Sequence, residues 1–320
     1  MRNKIVVGLV LMCIWQSAAA NLNGCKGLFY NNQPPSIKNP SISVNKYEIC
    51  YRDFAVAYSG VAKVGLWSAE VITPQTLDRA AQITRQDNFQ EDSRIHAQHM
   101  AQLSDYRGSG YDRGHLSPSA QRTSREAQND SFYLTNIFPQ SSKLNQGPWS
   151  EIEKATRTFV KKNKQPMYMI TGTLFLSPNL KRIGQGVLVP THVYKAIYVP
   201  SMNISGAYVA VNDNTNRIEA VSIAELEQYS GIRFFGGLNK NPIYSLKFNL
   251  PMNSNQATRL NIKVQSSSLS NVFGLRPNYL SNYTGPIDYK QNRKEAADLG
   301  KGVITDVANG GINIIKGVTK

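Results

Sequence analysis

The chain holds four histidines, at positions 96, 99, 115 and 192, and their neighbours differ. His115 follows Asp112-Arg113-Gly114 and precedes Leu116-Ser117-Pro118, a turn-like sequence. An imidazole can take a proton near neutral pH, as the activation of a water molecule requires. The planar guanidinium of Arg113, two positions earlier, matches the geometry of a phosphate. His96 and His99 have no acidic or cysteine partners at metal-ligand spacing and read as exposed or structural. On these residues alone, a purely structural role for His115 stays open.

A second cluster runs Thr135-Asn136-Ile137-Phe138-Pro139-Gln140, then Leu144-Asn145-Gln146-Gly147-Pro148-Trp149, then Glu151 and Glu153. Asn145 lies just ahead of a helix that Pro148 is suited to open. A neutral amide oxygen suits a hard cation that keeps most of its waters, as Mg²⁺ does. Glu153 and Arg157 are one helical turn apart and share a face. A surface ion pair and a helix-entry turn residue would explain the same pattern.

These residues need elements to position them. Trp149, Ile152, Thr156, Phe159 and Val160 recur at helical spacing, with Lys161 and Lys162 where the helix dipole favours cations. A second helix is predicted from Ser222, with Glu225 completing a capping pattern and Gly231 ending it. Phe54, Val56 and Tyr58 alternate, Val64 to Val71 forms another strand-like run, and Gly60 between them predicts an antiparallel pair. Further β-rich runs cover residues 167–170, 186–199 and 207–211. The fold class is α+β: a mainly antiparallel central sheet flanked by helices.

Taken together, the two clusters resemble the DNA/RNA non-specific endonuclease family, the Serratia-nuclease-like enzymes with a ββα-metal active site. Asp112-Arg113-Gly114-His115 match all four positions of its signature, and Asn145, Gln146, Gly147, Trp149 and Glu153 match the second motif at its spacing. Asn136, Pro139 and Gln140 fit the stretch between, and Thr84-Arg85 falls where the family keeps a phosphate-contacting arginine. The resemblance covers roughly residues 50–236. It implies a ββα-metal motif in which His115 is the general base and Asn145 the single direct protein ligand of one Mg²⁺, with Mn²⁺ able to substitute. It further implies that Glu153 holds the metal's waters. Arg85, Arg113 and Arg157 would hold phosphate oxygens, and Asn136 would join them at the substrate. Asp112 is expected beside the site without binding metal, and Trp149 and Ile152 in the core. The implied substrates are DNA and RNA, cut without strong sequence preference to leave 5′-phosphate ends, because backbone phosphates are common to every sequence.

Charge and targeting agree with this. A net charge of +15 and a pI near 9.7 favour polyanionic partners: nucleic acid, anionic membrane or acidic glycans. Lys161, Lys162 and Lys164 either extend a phosphate track or simply solvate a helix end. Arg2 and Lys4, an apolar run from Ile5 to Trp15 and the small residues Ser17 to Ala20 predict a signal peptide cleaved after Ala20. That run is too short for stable membrane insertion. Cys25 and Cys50 remain afterwards and are expected to pair in an oxidising compartment. The expected organisation is a signal peptide over 1–20, an extended N-terminal segment over 21–49, the endonuclease domain over 50–240 and a C-terminal extension over 241–320. Residues 291–320, rich in Gly and Lys, read as a loosely attached tail rather than a weak amphipathic helix. A homodimer and an inhibitor protein are compatible with the sequence but not encoded in it. A toxin-like nuclease shares this chemistry, whereas an inactive basic binder or a surface adhesin leaves the paired motifs unexplained.

Overall fold

β-Branched and aromatic residues supply the strands of one antiparallel sheet in the computed structural model, which describes residues 22–38, 40–259, 262–265 and the strands Ile304–Ala308 and Gly311–Ile315. In chain order the strands are β1 (Lys46–Cys50), β2 (Ala55–Ser59) and β3 (Val64–Ile72). The chain then leaves the sheet to make a two-stranded ribbon, β4 (Asp112–His115) with β5 (Ile137–Gln140), and the helix α1 (Ser150–Asn163). It returns as β6 (Met167–Leu174), β7 (His192–Val199), β8 (Ile204–Val211) and β9 (Ile218–Val221), followed by α2 (Ile223–Ser230). The order across the sheet is β9-β8-β7-β6-β3-β2-β1, so the excursion that carries both motifs springs from its centre, between neighbours β3 and β6. The fold is α+β, as expected.

Every residue of β7 and β8 is buried, so these central strands are covered on both faces. One face nevertheless carries polar groups. Ser68 lies opposite Thr171, and Thr171 opposite Lys195, while Glu70 stands two residues beyond Ser68 on the same side. All four are buried.

Helix ends follow the capping rules. The Ser222 hydroxyl accepts the Glu225 amide, and Gly231 closes α2 with a positive φ of 68°. The motif helix begins less regularly than Pro148 suggests. A wide turn spans Asn145–Trp149, with Gly147 far from helical geometry, and regular α-helix starts at Ser150.

Both flanks pack on this core. β1 forms the sheet edge and starts within the segment read as extended loop. Leu22 and Phe29 are buried, and the Phe29 ring meets Trp67 edge-on at 6.2 Å. The expected disulfide is present: Cys25 and Cys50 are bonded with a Cα–Cα distance of 5.9 Å, tying the turn Leu22–Leu28 to the end of β1. Beyond residue 241, Phe248, Leu250 and Ala257 are buried, and the Tyr208 hydroxyl donates to the Pro251 carbonyl at 2.8 Å. Within residues 291–320, the strands Ile304–Ala308 and Gly311–Ile315 pair antiparallel. The rest of 291–320, and the signal segment 1–20, lie outside the described residues. Replacing both Cys25 and Cys50 by Ser should remove about 3 kcal/mol of chain-entropy stabilisation, lowering Tm by roughly 6–12 °C in calorimetry.

Candidate active site

The first motif is positioned by register. Asp112 pairs with Gln140, Arg113 with Pro139, Gly114 with Phe138 and His115 with Ile137. Glycine is required at 114 by space, because a Cβ there would collide with the buried Gln140 side chain. Just past His115, Asn136 fixes the next turn: its amide oxygen accepts the Ser117 N–H at 3.0 Å, and its nitrogen donates to the carbonyls of Ser117 and Ser131, each at 2.9 Å. Asn136 is fully buried. The expectation that it touches substrate is therefore corrected: its hydrogen-bonding groups are committed to holding the backbone that follows His115.

The ribbon and the start of α1 enclose a cleft of about 620 Å³, whose lining includes Arg85, Asp87, Arg113, His115, Asn145 and Glu153. Sequence positions far apart in the chain thus converge. The His115 ring lies 5.1 Å from Phe132 and 5.6 Å from Phe89, and its Nε2 is buried without a hydrogen-bond partner. Burial first, then the positive charge of Arg85, holds the imidazole well below the ordinary histidine pKa, with Asp87 opposing. The ring is therefore neutral at pH 7 and able to accept a proton.

Asp112 orients the second motif. Its carboxylate accepts from Asn145 Nδ2 at 2.8 Å, Gln146 Nε2 at 2.9 Å and the Ser142 hydroxyl at 2.6 Å. Partial burial raises its pKa, but these three hydrogen bonds outweigh that and hold it below the usual carboxylate range. With Nδ2 engaged, Asn145 Oδ1 is left without a hydrogen bond among the described residues, on the wall of the cleft. Glu153 lies one helical turn beyond Trp149 in the first turn of α1, and burial raises its pKa against the opposing charges of Lys195 and Arg157. Among the described residues no three His, Cys, Asp or Glu side chains form a metal cluster. An amide oxygen and one carboxylate instead fit a hard, largely hydrated cation such as Mg²⁺.

The cations are arranged around this centre. Arg85 Nε donates to Asp87 at 2.6 Å, and its guanidinium lies 5.6 Å from the Phe132 ring. Arg113 stacks 5.1 Å from Phe89, and its Nε is buried without a partner. Arg157 stands one turn after Glu153 and also holds a buried nitrogen, Nη1, without a partner; it forms no ion pair with Glu153 within 4 Å. Glu151 pairs with Lys154 at the helix surface, and Lys161 with Asp78. Trp149 and Ile152 are core residues. Asp87, Phe89 and Phe132 were not singled out from sequence. Their role comes from long-range packing that no local pattern announces. Glu70 and Lys195 carried a signal, since each is the one Asp, Glu, Lys or Arg in its strand.

An antiparallel sheet that feeds a ββα excursion, with a neutral histidine facing arginines and an oxygen donor, defines a phosphodiesterase-type metal nuclease. The chain belongs to the DNA/RNA non-specific endonuclease family, whose model matches residues 32–241. Mitochondrial Endonuclease G of Homo sapiens is 35% identical over 201 residues, covering 57% of this chain and 67% of that protein. Nuclease C1 of Cunninghamella echinulata is 31% identical over 206 residues, covering 58% of this chain and 81% of its own length. Among solved structures, the EndoG/EndoGI complex matches with a TM-score of 0.54 and 28% identity, over 60% of this chain and 87% of the matched one. The chain spans about two-thirds of the length of the human Endonuclease G it matches. If Asn136 holds the turn after His115, Asn136→Ala should cost roughly 3 kcal/mol in chemical denaturation by stranding buried partners. A substrate contact would instead raise KM and leave stability unchanged.

Proposed function

We propose that this chain is an exported, Mg²⁺-dependent endonuclease that hydrolyses DNA and RNA without strong sequence preference and leaves 5′-phosphate ends. The observation that carries the reading is the convergence of His115, Asn145, Glu153, Arg85 and Arg113 on one cleft. Asn145 Oδ1 would hold the Mg²⁺ and Glu153 its waters; when bound, the ion neutralises charge on the scissile phosphate, a task for which Mn²⁺ is also chemically suited.

The protein's own groups do the rest. Arg113 and Arg85 hold the non-bridging phosphate oxygens, and Arg157 adds positive charge behind Glu153. Phe89 and Phe132 keep the His115 ring in place. The imidazole takes a proton from the attacking water as the new oxygen–phosphorus bond forms, and the bond to the 3′ oxygen breaks, that oxygen taking a proton from solvent to leave as a hydroxyl. None of these residues reads a base edge, so the contacts are shared by all sequences and by both sugars. Arg85 must release Asp87 to bind a phosphate, and the exposed pair costs little to break. Export is supported by the N-terminal sequence pattern and by the Cys25–Cys50 bond, which belongs to an oxidising compartment. No helix among the described residues is long and apolar enough to cross a membrane. An inhibitor protein is a further expected partner, since the matched EndoG/EndoGI complex concerns EndoG inhibition.

Plasmid and RNA cleavage by the purified protein tests the reading. Both substrates should be cut with Mg²⁺, neither with EDTA, and His115→Ala should lose at least about 100-fold in rate. Binding without cutting in Mg²⁺ or Mn²⁺ would show an inactive binder instead. The lowered His115 pKa has its own test. Because the shift is downward, the ring stays neutral as pH falls through the ordinary histidine value near 6.5. Its NMR titration midpoint should therefore lie below pH 6.

A further inference from the structure

Asn212 follows directly on β8 and is buried, with 7% of its surface exposed. Its Nδ2 donates to the carbonyls of Pro139 and Pro190, each at 2.9 Å, and its Oδ1 accepts the Ser141 N–H at 2.9 Å. Both amide protons and the amide oxygen are therefore engaged. Its backbone N–H donates to the Thr191 carbonyl at 2.8 Å. One side of Asn212 is thus fixed to residues 190–191, which lead into β7, and the other to the end of β5. Pro139 and Ser141 flank Gln140, the residue paired with Asp112. The side-chain amide meets a backbone carbonyl and a backbone N–H there, much as the peptide group of a third strand would.

The next contacts run to the second motif. The Ser141 carbonyl accepts the Asn145 N–H at 2.8 Å, and the Ser141 hydroxyl accepts the Leu144 N–H at 3.4 Å while donating to Asn214 Oδ1 at 2.7 Å. Ser141 therefore caps the short turn Ser142–Leu144 that delivers Asn145. We infer that Asn212 is a positioning residue for the nuclease site: by clamping Pro139 and Ser141 to the sheet, it fixes the backbone from which Asn145 reaches the cleft. This rests on the function proposed above, in which Asn145 Oδ1 holds the metal. Asp112 sets the rotation of the Asn145 amide, and Asn212 sets where the turn carrying it stands. The turn after His115 has a separate support, the hydrogen bonds of Asn136 to Ser117 and Ser131. Losing Asn212 should loosen the oxygen donor and leave the turn after His115 in place.

Metal binding by the full chain, without substrate, provides the test, with Mn²⁺ alone as the probe and the free ion counted by electron paramagnetic resonance. Asn212→Ala should raise the Mn²⁺ Kd about tenfold, the scale on which groups behind a metal ligand act. Amide hydrogen exchange of the metal-free chain gives a second readout. The Ser141 and Asn145 amides should exchange about tenfold faster in Asn212→Ala, and the Ser117 amide at the wild-type rate. In cleavage, the Mg²⁺ concentration for half-maximal rate should rise about tenfold, with KM for an oligonucleotide changed less than about twofold. A purely structural role would instead speed all three amides together and leave the Kd of the folded fraction unmoved, and that result would overturn the proposal. Should Asn212→Ala fail to fold, Asn212→Asp, of the same shape but without the two donors, is read by the same criteria. A wild-type chain that neither binds Mn²⁺ nor cuts counts against the function. Wild-type binding that neither substitution weakens counts against Asn212 alone.

Discussion

The buried ion pair between Glu70 and Arg122 is the contact on which the architecture of the site depends. Glu70 belongs to β3, the last sheet strand before the excursion, and Arg122 to the loop that follows His115. Arg122 also donates from Nε to the Pro118 carbonyl at 3.2 Å, and Pro118 lines the cleft. One guanidinium thus fastens the ribbon's outgoing loop to the centre of the sheet. Two charges buried together are tolerable, but removing either leaves the other uncompensated at a cost of about 3–5 kcal/mol. The sheet can hold so polar a site above it because its central strands are otherwise covered on both faces.

Above that anchor, the geometry is a division of labour between short-range chain constraints. Gly114 makes room for the Gln140 side chain within the ribbon. Asp112 engages the nitrogen of Asn145 and so turns the amide oxygen towards the cleft. Phe89 and Phe132 flank the imidazole without offering it a hydrogen bond, which leaves the ring neutral and unpartnered. Each of these acts on a residue of the candidate site through packing or a hydrogen bond within the protein.

What the sequence disclosed follows from the range of the interactions involved. Motif spacing, the period-two Phe54, Val56 and Tyr58, the apolar run that becomes β3 and the cap at Ser222 are local, and all were legible. The pairing of the two remaining cysteines also followed from their number. Asn136 misled because a buried amide and an exposed one look alike in a short loop with no periodicity; only the carbonyls of Ser117 and Ser131 distinguish them. Phe89 and Phe132 were invisible for a related reason, since their partner is a ring distant in the chain. The flanks were under-read as well. Phe248 and Leu250 alternate within a stretch rich in Asn and Ser, and two apolar positions are too few to announce a strand, yet both are buried.

The Cys25–Cys50 bond gives the molecule a dependence on where it is. Without the bond, the turn Leu22–Leu28 keeps its non-covalent contacts, but the edge strand β1 loses its covalent clasp. The closed bond restricts the unfolded chain, so the same sequence is more durable in an oxidising environment than in a reducing one.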